Sequence, residues 1–175
     1  MGELDSLGIH SIMPDIAPFI QDSQKLTSIF GYWPSFHDAE IIELHFWRGD
    51  VDADKKRYVF PILTVKLHVW ELTKEVDERG YYVARHHTLA TLRFYDVYEF
   101  SMEGCNQQNA IFELLIEQQE RTDGPSPFFT VEFRPAFGMG ASLRCLRVEV
   151  ADAVPCASDG KCMPNTALEP TPTAP

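Results

Sequence analysis

The densest run of chemically capable side chains is His37-Asp38-Ala39-Glu40, set directly behind Trp33-Pro34-Ser35-Phe36. On an extended strand, residues two apart share a face. Asp38 and Glu40 would then point one way, about 7 Å apart, and His37 the other. Two carboxylates at that separation can share a divalent cation or act as a proton-transfer pair. The same residues also have a structural use. A helix-to-strand junction leaves backbone N–H groups without partners, and Asp and Ser side chains are ready local acceptors. On residue type alone the structural use outweighs the chemical one.

Other candidates are weaker. His86 and His87 are adjacent, so on a strand they face opposite sides and do not jointly ligate. His45 and His68 read as isolated strand histidines. Cys105 and Cys145 lie in or beside apolar strands, where packing is expected rather than nucleophilic chemistry. Cys156 and Cys162 are spaced C-x5-C with no nearby His, unlike a zinc site. The sequence has no G-x-S-x-G elbow, P-loop, G-x-G-x-x-G or H-E-x-x-H. Gly138-Met139-Gly140 reads as a turn. The expectation is therefore no catalytic residue, no cofactor and no metal. The alternative is a small metal-binding protein or enzyme built on His37, Asp38 and Glu40.

The elements around this run follow from its periodicity. Ser23 to Gly31 predicts a short helix, with Leu26, Ile29 and Phe30 on one face, Ser23 at the N-cap and Gly31 just past the end. Asp15 to Ile20 allows one further turn. The period then drops to two. Ile42, Leu44 and Phe46 alternate with Glu43, His45 and Trp47. Gly49 to Lys56 reads as a polar connection. Tyr58 to Leu63 is apolar on both faces and predicts a central strand, with Pro61 forcing a bulge or an edge pairing. Thr73 to Gly80 is a charged turn, and Tyr81 to Tyr95 and Val97 to Met102 are further strands. Phe128 to Phe133 and Ser142 to Val150 predict a closing pair, the latter with Leu143, Cys145, Arg147 and Glu149 on one face. Residues 107–120 fit a helix by propensity and a strand by the alternation of Phe112, Leu114 and Ile116, so both stay open. The fold class is α+β, a mainly antiparallel β-sheet with one or two helices in a single domain. The expected divisions are an N-terminal extension 1–22, a body 23–154 and a Pro/Thr/Ala tail 155–175. Five of the tail's 21 residues are proline, and it has no hydrophobic period to offset its ordering entropy.

Composition narrows the partners. The chain has 175 residues, 26 acidic against 15 basic, and a formal net charge of −11. Such a field repels phosphate, which argues against nucleic acid or an anionic membrane as partner. No apolar run approaches a membrane span, and the N-terminus has no secretory pattern, so a cytoplasmic protein is expected. Met1 to Ser6 formally fits a myristoylation pattern, with nothing basic to support it. The acidity is uneven. Residues 91–120 carry six acids and one base. Asp96, Glu99 and Glu103 in that stretch, with Asp50, Asp52 and Asp54, are the candidate contacts for a basic partner.

The segment FGYWPSFHDAEI (30–41) resembles the signature near the start of the bacterial immunity protein 50 family. LRFYDVYEF (92–100), GCNQQNAIFELLIE (104–117) and GMGASLRCLRVEV (138–150) are similar in character to later parts of that family. The resemblance implies a non-enzymatic protein that binds and neutralises a cognate bacterial toxin, for instance a basic nuclease. Trp33, Pro34, Ser35, Phe36, His37, Asp38 and Glu40 form the motif that carries it. The ending NTALEPTPTAP resembles the tails of proteins carried on integron cassettes.

Overall fold

The computed structural model describes residues 15–52, 54–120 and 127–161. The Met1–Ser6 pattern, Cys162 and the cassette-like ending lie outside the described residues.

Two four-stranded antiparallel sheets enclose one core. The first has the order β1-β4-β5-β10, formed by Glu40–Trp47, Ile62–Val76, Tyr82–Tyr95 and Arg147–Pro155. The second has the order β6-β9-β8-β7, formed by Tyr98–Glu103, Gly140–Cys145, Phe128–Pro135 and Ile111–Gln119. Strands β2 (Asp50–Asp52) and β3 (Arg57–Val59) pair as a separate hairpin. Helix α1 (Gln24–Phe30) follows a 3-10 turn at Ala17–Phe19. This is the mainly antiparallel α+β architecture expected from the sequence.

The core follows the two-residue period. Leu63, Val65, Leu67 and Val69 of β4, Ala90, Leu92 and Phe94 of β5, and Phe129, Val131 and Phe133 of β8 are buried in one cluster. Burying each large apolar side chain contributes about 1.5–3 kcal/mol. Phe94 and Phe133 meet edge to face at 5.9 Å across the two sheets. The Cys145 thiol is fully buried, and that burial pushes its pKa up to about 12, so the side chain acts as a small hydrophobe.

Within residues 107–120 the structure has no helix, and Ile111–Gln119 form strand β7. A bulge between Ile111 and Glu113 shifts the phase, so the buried set is Ile111, Leu114 and Ile116. The bulge inserts one residue into an otherwise alternating pattern, which is why the spacing also fits a helix. The closing strand also departs from the expected alternation, here through a break where the chain passes from one sheet to the other. Ser142 to Val150 is not continuous: Leu146 separates β9 from β10. The inward set changes from Leu143 and Cys145 to Val148 and Val150, so Arg147 is exposed rather than sharing their face.

Tyr58 to Leu63 is not a central strand. Pro61 has no N–H to donate, and pairing breaks at Phe60-Pro61, leaving Tyr58, Val59 and Phe60 exposed on the β2–β3 hairpin. The polar connection 49–56 holds strand β2 and the turn after it. Gly49 permits the close turn into that hairpin. Its φ is +84°, and a Cβ there would lie 1.9 Å from the Val59 carbonyl oxygen. The charged turn expected at 73–80 is also shorter, because β4 runs on to Val76.

Packing also extends beyond the expected body at both ends. Ile20 is buried, and Gln21 exchanges backbone hydrogen bonds with β10, donating to Val148 and accepting from Val150. At the other end Pro155 pairs with Thr88, and Cys156 is buried. Ser23 occupies the N-cap of α1, but its hydroxyl makes no capping bond, while Gly31 closes the helix at φ +82°. The Lys25 ammonium of α1 reaches the Val150 and Ala151 carbonyl oxygens at 3.1 and 3.0 Å. Those carbonyls lie at the β10 bulge between Val150 and Asp152.

Candidate functional site

The run from Trp33 to Glu40 forms the corner where the two sheets meet. Phe36 is fully buried at φ +57°, and Trp33 packs against it with ring centroids 5.4 Å apart. Pro34 is buried and Ser35 is exposed, its hydroxyl oxygen accepting the His37 N–H at 3.3 Å. Asp38 takes φ +63° and donates its N–H to the Ile111 carbonyl at 2.9 Å. Ala39 accepts the Ile111 N–H at 2.9 Å, and Ile41 donates to Asn109 at the same distance. Three backbone bonds thus join the head of β1 to the head of β7.

Asp38 therefore precedes the strand and does not share a pleated face with Glu40. Its carboxylate lies 3.1 Å from His37 Nδ1. The His37 ring rests edge-on against Phe112 at 5.1 Å. The Glu40 carboxylate turns instead to the Asn109 N–H at 2.7 Å. The His37–Asp38 pair and Glu40 are thus committed to different partners. Among the described residues no group of three or more His, Cys, Asp and Glu side chains is placed to share a metal ion.

A cavity of about 230 Å³ opens beside this corner. The chain on either side of the helix stop supplies Phe30, Tyr32, Pro34, Ser35 and His37, and β4 supplies Trp70, Glu71 and Leu72. The Tyr32 hydroxyl donates to Glu71 Oε1 at 2.7 Å. Burial and the adjacent Glu71 carboxylate push the Tyr32 pKa up to about 12, so the phenol stays protonated at neutral pH. Beyond Leu72 the β4–β5 ribbon runs out as an arm with Val76, Tyr81 and Tyr82 exposed. Sequence reasoning singled out the motif side of the cavity. It missed Trp70 and Glu71, which reach the motif only through the fold.

The six candidate acidic contacts separate. Asp50 and Asp52 lie on β2 opposite Val59 and Arg57, and Asp54 lies in the turn beyond them. The Asp52 carboxylate is 3.3 Å from the Lys55 ammonium, and Lys56 and Arg57 follow, so the hairpin carries both signs. Glu99 pairs with Arg144 at 3.0 Å. That pair lines a wider hollow of about 360 Å³ on the outer face of the second sheet. Arg134 there is already held by Glu113 and Glu132 at 2.8 and 3.1 Å. Asp96 takes φ +56° at the corner between β5 and β6, and Glu103 is exposed at the end of β6.

His68, isolated in sequence, has a partner. His87 of β5 places Nδ1 3.1 Å from His68 Nε2, and Trp70 stacks at a tilt beside His68 at 4.9 Å. Residues past β10 fold over this pair. Cys156 donates its N–H to the His87 carbonyl, and a Cβ on Gly160 would lie 3.3 Å from His68 Nδ1. Burial, and then the charge of His87, hold His68 below the usual histidine range; burial does the same to His87. A cross-strand contact of this kind depends on register, which periodicity does not reveal.

Among the described residues no helix is long and apolar enough to cross a membrane. Neither a curated protein nor a solved structure matches the chain. A family model described as immunity protein 50 matches residues 22–155.

Proposed function

The chain belongs to the immunity protein 50 family, and from that premise we propose that it neutralises a cognate bacterial toxin by direct complex formation, without catalysis. The observation that carries this reading is the family match, which spans the whole two-sheet body from the approach to α1 to the end of β10. The surface supports it. The motif cavity, the β4–β5 arm and the β2–β3 hairpin all present exposed aromatic side chains, the residue type that dominates protein–protein hot spots. The separation of the His37–Asp38 pair from Glu40, whose carboxylate is taken by the Asn109 N–H, favours this reading over a metal-binding protein or enzyme.

The net charge of −11 suits a basic partner such as a nuclease, because it accelerates encounter at low salt. Asp50, Asp52, Asp54, Asp96, Glu99 and Glu103 contribute to that field, and the protein would act in the cytoplasm of the cell that makes the toxin. The test is growth rescue. The neighbouring reading frame in the source DNA is induced alone and then together with this chain. Relief of toxicity, with recovery of a stoichiometric complex, is the expected result. Toxicity that persists despite well-expressed, folded protein would overturn the reading.

A further inference from the structure

Resting on the toxin-binding reading, we propose that the motif cavity is a receptor for one arginine side chain presented by the partner protein. The size, the walls and the charge point to the same occupant. At about 230 Å³ the cavity is smaller than the roughly 300–1,000 Å³ typical of small-molecule sites, and suits a single side chain. Three of its walls are aromatic: Phe30, Tyr32 and Trp70. A planar guanidinium stacks on such faces and is attracted to their negative centres.

Glu71 supplies the counter-charge. Its Oε1 accepts the Tyr32 hydroxyl, a neutral donor that orients the carboxylate without cancelling its charge. Its Oε2 lies 3.8 Å from His86 Nε2, beyond hydrogen-bond distance. The arginine nearest on the arm, Arg85, is paired with Glu75 at 2.6 Å. Among the described residues no Lys or Arg lines the cavity. A carboxylate set among aromatic rings, beside an exposed Leu72, matches the cationic head and aliphatic stem of arginine.

The test uses the intact protein and two probes, N-acetyl-arginine methylamide and its neutral isostere N-acetyl-citrulline methylamide. Binding is read from the indole N–H signals of the three tryptophans, with Trp70 assigned through Trp70→Phe. The arginine amide is expected to shift the Trp70 signal saturably, in the millimolar range suited to one side chain. Citrulline should bind about tenfold more weakly. Glu71→Gln should abolish the difference while leaving the unfolding midpoint unchanged. Equal binding of the two amides, or no saturable shift at Trp70, overturns the proposal. Either result with growth rescue intact removes the arginine receptor and leaves the toxin reading standing. An arginine preference without rescue removes the toxin reading alone.

Discussion

The Glu40 carboxylate accepts the backbone N–H of Asn109 at 2.7 Å, across the corner where the two sheets join. Asn109 is itself buried, and its side-chain oxygen accepts the N–H groups of Asn106 and Met139 at 3.0 and 3.2 Å. One carboxylate thus anchors the start of β1 to the loops before β7 and β9. Glu40→Ala leaves a buried N–H unpaired, which costs about 1–3 kcal/mol. Glu40→Gln keeps an acceptor and should cost less. Urea unfolding measures both; equal midpoints for wild type and Glu40→Ala would remove the corner from the stability argument.

Gly138 and Gly31 both sit at positive φ, +74° and +82°, but their surroundings differ. A Cβ at Gly138 would lie 2.3 Å from the Gln108 carbonyl oxygen and 2.7 Å from Asn109 Oδ1. Nothing lies within 4 Å of a Cβ at Gly31. Gly31→Ala should therefore cost only the left-handed strain, about 1–2 kcal/mol. Gly138→Ala adds a backbone clash and should cost clearly more, because it also disturbs the Asn109 network. Thermal unfolding of the two variants side by side checks the order.

Much of the sheet was legible because alternation survives in long strands such as β4 and β5. The errors cluster where one residue interrupts the period. The bulge after Ile111 made β7 look partly helical. Leu146 reversed the inward face between β9 and β10. Pro61 turned an apolar run into an exposed hairpin. Each is a local break whose consequence depends on pairing partners far away in sequence. The site was half legible for the same reason. Tyr32, Pro34 and His37 lie in a recognisable segment, whereas Trp70 and Glu71 complete the cavity only after β4 is docked beside it. The pairing of His68 with His87 likewise waits on register.

Burial of that pair, and at His68 also the charge of His87, makes stability depend on pH. Both histidines sit below the ordinary value of 6.5, so the unfolded chain takes up protons at a higher pH than the folded one. Where the unfolded state binds more protons, stability rises with pH. The pair should therefore cost nothing well above pH 6.5. It should destabilise progressively as pH falls from 6.5 towards the lowered folded values, and stop changing below them. The nearby Asp159 and Glu40 charges oppose the shift at His68 and narrow the window. Denaturation midpoints measured from pH 8 to pH 5 should show this slope. His87→Gln, which keeps a hydrogen-bonding group but removes its own titration and its charge on His68, should reduce the slope and leave the part due to the buried His68; an unchanged slope would assign the effect to other groups.

The arm of β4 and β5 separates folding from binding. Tyr81 and Tyr82 are 70% and 66% exposed near its tip and contribute little apolar burial to the core. Replacing both with Ser should move stability by no more than about 0.5 kcal/mol per site, as for ordinary surface positions. If the arm holds the toxin, the same double variant should weaken the complex by roughly 2 kcal/mol or more, chiefly through faster dissociation, because buried aromatics dominate interface energies. Charge reversal at Asp50 and Asp54 should act differently. Those carboxylates are exposed at the hairpin; if they steer encounter rather than hold the docked state, the association rate should fall and lose part of its salt dependence. Surface plasmon resonance against the toxin recovered by growth rescue, at two salt concentrations, distinguishes the two effects. A double tyrosine variant that dissociates no faster than wild type places the interface elsewhere on the molecule.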